Sequence, residues 1–256
     1  MAKNFTDLTG KKAIVTGGAQ RLSYGAAEGL MEAGAEVCIM DINPKVADVA
    51  KAFCERGFKC SAVTANLGDK KERREKFLEA VEKLGGHLDI LVNGAGVQRR
   101  HKCEEFPEED WEFVLNVNLN AVFALSQMAG QTFIRQGSGG KIINFASMLA
   151  FFGGYTVPAY AASKGGIAQL TKALCNEWAE KNINVNAIAP GYMDTEMNTA
   201  LTDPNNPRFK EITDRIPHKR WGTPEDVKGP IIFLASSASD YLDGAIIPVD
   251  GGYLVK

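Results

Sequence analysis

Short apolar runs alternate with longer amphipathic stretches along all 256 residues, and this alternation limits the possible folds more than any other feature. "KAIVT" (12–16) precedes a helical stretch ending in "GLMEAGA", "EVCIM" (36–40) leads into "NPKVADVAKAFCERG", and "KCSAVTA" leads into "DKKERREKFLEAVEKLG". "LDILVN" (88–93) comes before a long stretch from Pro107 to about Gln136, and "KIINFAS" (141–147) before "PAYAASKGGIAQLTKALCNEWAEK". "INVNAIAP" (183–190) and "GAIIPVD" (244–250) supply two more strands, seven in all. Strands separated by helices predict an α/β fold with a doubly wound parallel sheet of about seven strands and helices on both faces. The length suits one such domain over 1–256 better than two small ones. One long irregular stretch, 191–223, contains "DPNNP" and reads as a lid-like segment rather than a linker.

Charged residues make up 23% of the chain and its formal net charge is −2. That balance gives no field favouring nucleic acid or a membrane surface, so the expected partners are small molecules and copies of the same chain. No apolar run is long enough to span a bilayer, and "MAKNFTDLTG" has no apolar signal core, so a cytoplasmic location is expected. The five cysteines are scattered without a C-x-x-C pair and are expected as reduced thiols, mostly packed as small hydrophobes. Three histidines without ligand spacing predict no metal site.

In an open parallel sheet, ligands sit beyond the carboxyl ends of the strands, where strand order reverses. Attention therefore falls on residues just after each strand. The first turn is "TGGAQRLSYG" (16–25), a Thr-Gly pair opening towards a helix, as a nucleotide-binding turn does. Asp41 ends the second strand, where a carboxylate either accepts hydrogen bonds from both ribose hydroxyls of an adenosine or caps the helix starting near Pro44. With the Thr-Gly turn before it, ribose binding is favoured, and with it NAD over NADP, because a carboxylate repels a 2′-phosphate.

"NGAG" (93–96) places small residues where a backbone can approach a flat ring. "YAASK" puts Tyr160 and Lys164 four apart on one helix face. A neighbouring ammonium favours the phenolate and lowers a tyrosine pKa, which makes Tyr160 an acid/base candidate for interconverting an alcohol and a carbonyl. Ser147 lies thirteen residues earlier at the end of the fifth strand, where its hydroxyl can reach the same substrate oxygen. "PGYMDT" (190–195) follows the sixth strand, with Thr195 placed to bind a carboxamide. "QRRHK" (98–102) is a basic run following the fourth strand. It is either a substrate-carboxylate clamp through Arg99 or Arg100, with Gln98 beside them, or a solvated turn balanced by the acidic residues that follow.

These motifs, in this order and spacing, resemble the short-chain dehydrogenase/reductase family over essentially the whole chain. The resemblance implies a single Rossmann-fold domain, usually assembled as a homotetramer. It implies catalytic roles for Ser147, Tyr160 and Lys164, and for Asn118, set in "NLNAVF" rather than at Asn116 or Asn120. In the family that asparagine holds a water linking the lysine to solvent. The implied cofactor contacts are Thr16, Gly17, Arg21, Leu22 and Ser23, then Asp41, Asn66 and Leu67. Asn93, Gly94 and Ala95 follow, with Tyr160, Lys164, Pro190, Gly191 and Thr195. Stretches such as "RIPHKRWGTPEDVKGPIIFLASSASDYLDG" narrow the resemblance to members acting on sugar acids and related polyols with NAD(H).

Three positions depart from the family pattern. Arg21 and Ser23 replace glycines, and Gly94 replaces an asparagine. Asn66 also stands where aspartate is common against the adenine. A serine at 23 is small enough to be tolerated and its hydroxyl is a candidate phosphate ligand. Arg21 either swings outward to neutralise a pyrophosphate or fills the phosphate site. A functional loop is expected, with a dehydrogenase-like scaffold of low activity as the alternative.

Overall fold

All seven apolar runs form strands. The computed structural model describes residues 4–195, 203 and 206–256. The strands are β1 (Lys12–Thr16), β2 (Glu36–Asp41), β3 (Cys60–Thr64), β4 (Ile90–Asn93), β5 (Gly140–Phe145), β6 (Ile183–Pro190) and β7 (Ile246–Val249). They make one sheet in the order β3-β2-β1-β4-β5-β6-β7, with every pairing parallel. Parallel strands need crossovers, and helices α1 (Arg21–Glu32), α2 (Val46–Glu55), α3 (Lys70–Lys83), α4 (Glu108–Leu115), α5 (Ala121–Gln136) and α6 (Pro158–Trp178) supply them. Two later helices, α7 (Pro207–Arg215) and α8 (Glu225–Ala235), follow β6.

The strands are apolar on both sides because both faces are covered. Val15, Ile39 and Val92 pack with Leu30 and Phe53 on one face, while Ile14, Met40 and Leu91 pack with Phe77, Leu125 and Phe133 on the other. The chain winds outward from β1 to β3, then returns to place β4 on the other side of β1, so the switch point lies between β1 and β4. Register pairs Thr16 with Asn93 there, so the turns after both strands open from the same level.

The long helical stretch predicted from Pro107 is a continuous helix interrupted at Asn116–Asn120 by a π turn. By length and composition, Glu108–Gln136 is apolar enough to cross a membrane, but half of its most apolar stretch is buried inside the fold, as a core helix is. Only Cys38 of the five cysteines is buried, while Cys54 and Cys103 are exposed, so packing accounts for fewer of them than expected. Of the lid-like segment 191–223, residues 196–202 and 204–205, including Pro204 and Asn205, lie outside the described residues. Arg220 closes a bidentate pair on Asp226 at 2.7 Å for both bonds, and Trp221 is buried beside Phe209 and Tyr192.

Candidate active site

A cleft of about 420 Å3 opens at the switch point. Its two ends are built differently. One end is the turn after β1 with the end of β2, and the other brings Tyr160 together with the buried Ser147 and Lys164.

At the first end, Gly17, Arg21, Leu22, Ser23 and Asp41 line the cleft. Gly17 has φ +70°, and a Cβ there would lie 2.8 Å from Ala95 Cα, so both its conformation and its neighbour require glycine. Asp41 is 5% exposed and accepts from Ala19 N at 3.0 Å and Asn43 N at 2.9 Å. It does not cap α2, whose N-cap is Lys45. The carboxylate therefore pins the turn after β1 to the end of β2 and still faces the cleft. Asn66 and Leu67 also line it, with Asn66 Oδ1 accepting from Gly68 N at 3.0 Å.

Arg21 opens α1 with φ +58°, in the left-handed region. Glycine suits that position for conformation as well as for close approach, and a non-glycine residue there costs about 1–2 kcal/mol. Arg21 Nε is buried without a hydrogen-bond partner, while the side chain borders the cleft. An unpaired guanidinium nitrogen at a helix N-terminus suits an anion. The residues present therefore fit a dinucleotide. Gly17 lets the turn close on Ala95, Arg21 brings a guanidinium with a partnerless Nε to the cleft border, and Asp41 stands at the end of β2. Among the described residues, no group of three metal-ligating side chains comes together.

Ser23 lines the cleft with its hydroxyl engaged. Its hydroxyl donates to Gly94 O at 3.1 Å and is 5% exposed, so it is turned towards the loop after β4 and not offered to a phosphate. Thr16 and Asn93, unlike Ser23, do not line the cleft. Thr16 Oγ1 accepts from Gly94 N at 3.1 Å and Ala95 N at 3.2 Å, holding the cleft floor from beneath. Asn93 Nδ2 donates to Asn144 Oδ1 at 2.9 Å and Ser126 Oγ at 3.1 Å, tying β4 to β5 and α5. Both residues belong to the support of the cleft because their strand-end side chains point into the packed layers.

At the second end, Ser147, Tyr160 and Lys164 line the same cleft as Pro190, Gly191 and Thr195. Ser147 lies two residues beyond β5 and accepts from Leu149 N at 3.1 Å, which opens a 3₁₀ turn. Lys164 is 5% exposed, donates to Phe145 O at 2.6 Å, and sits 5.5 Å from the centre of the Tyr160 ring. Burial lowers the Lys164 pKa to about 8. Burial also raises the Tyr160 phenol above its ordinary value, while a hydrogen bond from Ser147 opposes that rise. No lowering by the lysine is seen in the protein alone, where desolvation disfavours phenolate and ammonium alike.

Asn118 is fully buried in the π turn. It accepts from Val97 N at 2.8 Å and donates to Val97 O at 2.9 Å and Ser163 Oγ at 3.2 Å. Asn120 is exposed and Asn116 donates to Gly68 O, so of the three asparagines only Asn118 is directed at the cleft's supporting loop.

Gln98, Arg99 and Arg100 fall outside the cleft lining. Arg99 pairs with Asp110 at 3.1 Å and lies over the Phe113 ring at 4.6 Å, and His101 meets the same carboxylate at 2.7 Å. With its amide oxygen turned inward, Gln98 accepts from Arg100 Nε at 3.1 Å and Nη2 at 2.9 Å. Gln20, Gly96 and Met193 line the cleft from within the singled-out stretches, though none was named as a contact, and Val97, Phe113 and Val117 line it from outside them. Gly96 and Val97 were within reach of the strand-end rule. Phe113 and Val117 come from helix packing and leave no local signal.

A doubly wound parallel sheet with a glycine turn, a strand-end carboxylate and a Ser–Tyr–Lys group in one cleft defines a nicotinamide-dependent oxidoreductase. A family model described as enoyl-(acyl carrier protein) reductase matches residues 17–254. The chain is 47% identical over 257 residues to 2-dehydro-3-deoxy-D-gluconate 5-dehydrogenase of Dickeya dadantii (strain 3937), covering 100% of both chains. It is 41% identical to 5-keto-D-gluconate 5-reductase of Escherichia coli (strain K12), over 97% of each. The crystal structure of a gluconate 5-dehydrogenase from Burkholderia cenocepacia J2315 in complex with NADP and tartrate superposes with a TM-score of 0.93, at 38% identity and 98% coverage of both chains. The chain belongs to the short-chain dehydrogenase/reductase family and is an NAD(P)-dependent oxidoreductase acting on CH–OH donors.

Proposed function

We propose that this enzyme interconverts a secondary hydroxyl and a ketone on a sugar acid of the 2-dehydro-3-deoxy-gluconate or 2-deoxy-gluconate type, using NAD(H). The observation that carries this reading is that Ser147, Tyr160 and Lys164 converge at one end of a cleft whose other end holds Gly17, Arg21 and Asp41. When bound, the nicotinamide accepts or returns the hydride. Tyr160 takes the hydroxyl proton, or returns it, at the substrate oxygen, and Ser147 donates a hydrogen bond to that oxygen. Lys164 holds the ribose, and its charge favours the phenolate. Asn118 uses both side-chain atoms to hold Val97 and Ser163. Its part in a proton path therefore falls to the backbone of the π turn, where the helical ladder is loosened.

Gly17, Arg21, Leu22 and Asp41 hold the dinucleotide from one side, with Asn66, Leu67 and the 94–95 backbone. Pro190, Gly191 and Thr195 complete the site. Asp41 supports NAD, since a 2′-phosphate would face its carboxylate. The NADP complex of the Burkholderia relative supports the second reading, NADP. The same relative was crystallised with tartrate, a hydroxy dicarboxylate, which agrees with an anionic substrate. Both arginines stand outside the cleft lining, and of the two Arg100 is the proposed clamp for a carboxylate reaching beyond it. Arg99 is already neutralised by Asp110, whereas Arg100 leans on a neutral amide and keeps its charge. Exposed Trp111, Phe123 and Ile134 on the 108–136 helix support assembly as a homo-oligomer, a tetramer in this reading, in the cytoplasm.

The test is a turnover screen with NAD and NADP against sugar acids and neutral polyols. Arg100→Ala should raise KM for sugar acids about tenfold, and Arg99→Ala should do much less. Faster turnover of neutral polyols, with neither arginine mattering, would overturn the carboxylate clamp. Better use of NADP than NAD would overturn the cofactor assignment.

A further inference from the structure

We propose that Ser23 and Gly94 are a matched pair sharing one side-chain volume, and that Ser23 is a positioning residue for the floor of the cleft. The loop 94–97 borders the cleft through its backbone and is tied from three sides. Thr16 Oγ1 holds Gly94 N and Ala95 N from β1. Asn118 holds Val97 N and O from the π turn. The third tie, on Gly94 O, is the Ser23 hydroxyl from α1.

Gly94 is not among the glycines with positive φ, so conformation does not demand a glycine there. Space does. A Cβ on residue 94 would overlap Ser23 Oγ and lie 3.0 Å from Ser23 Cβ. α1 and the loop cannot both fill that pocket unless Ser23 Oγ turns away from Gly94 O. In this chain α1 fills it, and the bare glycine backbone is steadied by the serine's hydrogen bond. The two departures from the family pattern at 23 and 94 are therefore one feature, a side chain carried on the opposite wall. The brace reaches further, because Gly17 packs so closely on Ala95 that a shift of the loop is passed to the turn after β1. Ser23 thus sets the spacing between the two backbone segments that face the cofactor. The effect on cofactor binding rests on the proposed function, whereas the shared volume does not.

The test is a double-mutant cycle of Ser23→Gly and Gly94→Asn, with Ser23→Ala alongside. Melting without cofactor reads the shared volume, and NADH titration well below the melting point reads the positioning. Gly94→Asn alone should lower the midpoint by several degrees, as overpacking does. Adding Ser23→Gly should restore most of that loss. Full recovery is not expected, because Thr16 O also stands 3.0 Å from a Cβ at 94. Ser23→Ala keeps the Cβ and loses the hydroxyl with its bond to Gly94 O, so it should weaken NADH about threefold to tenfold. If Gly94→Asn does not fold, Gly94→Ala with and without Ser23→Gly gives the same cycle. Additive losses in melting would overturn the matched pair. Unchanged NADH affinity in Ser23→Ala would overturn the positioning role. A different substrate or cofactor preference would leave the melting cycle untouched, so the two proposals fail separately.

Discussion

The two ends of the cleft obey different rules. Around Ser147, Tyr160 and Lys164, the proposed chemistry depends on side chains brought together beside a buried lysine, and every residue of the family pattern is in place. Around Gly17 to Ser23, the cleft is lined by the turn after β1, and two of the expected glycines are gone. Arg21 keeps the left-handed conformation a glycine would adopt, at a cost, and Ser23 finds its space because Gly94 gives it up. A backbone surface tolerates a change of side chain when the new one can point elsewhere. A buried ionisable group has no such latitude, because its charge state depends on everything packed around it.

The sharpest break of this contrast is at Tyr160. Tyr160→Phe removes only the hydroxyl, and turnover should fall by about 100- to 10,000-fold while NADH binding stays nearly intact. Turnover close to wild type would show that the catalytic end is as permissive as the phosphate end.

Lys164 offers the next largest effect, read through pH. Burial holds its folded pKa near 8, below its ordinary 10.5. Below pH 8 both the folded and unfolded chains carry the proton, and burial of the charge is fully unfavourable. Between about 8 and 10.5 the unfolded chain keeps a proton that the folded chain has released, so the contribution of Lys164 to stability rises with pH across that window. Lys164→Met should therefore compare best with wild type near pH 7. By pH 10.5 it should lose ground by up to about 3 kcal/mol, as followed by denaturant unfolding. A difference between the two proteins that does not change over this range would show that the buried lysine holds its proton normally.

The smallest effect is at the phosphate end, and it has opposite signs in two measurements. Arg21→Gly should stabilise the protein by about 1 kcal/mol, because glycine adopts positive φ freely. It should also weaken NADH binding several-fold, with the loss shrinking at high salt as the partly exposed contact is screened. Tighter NADH binding in the variant would mean that the arginine obstructs the cleft.

The strands were legible because apolar runs covered on both faces need no partner information to stand out. β1 and β6 match their predicted bounds, and the β2 boundary differs by the single residue Asp41. The motif residues were legible because ligand sites cluster at strand ends, and that rule depends only on the alternation of strand and helix. What those side chains do there was not. Thr16 and Asn93 stand at the predicted places yet face into the packed layers, and Ser23 is turned to Gly94 instead of outward. Asp41 proved to be no helix cap, and only one of the two neighbouring arginines kept an uncompensated charge. The outcomes at Thr16, Asn93 and Ser23 rest on contacts between segments far apart in the chain, across 71 residues for Ser23 and Gly94. Local pattern determined the strand order of events along the chain and where the cleft had to open. Tertiary packing alone decided which side chains reach it, because orientation, burial and pairing are properties of neighbours the local sequence does not contain.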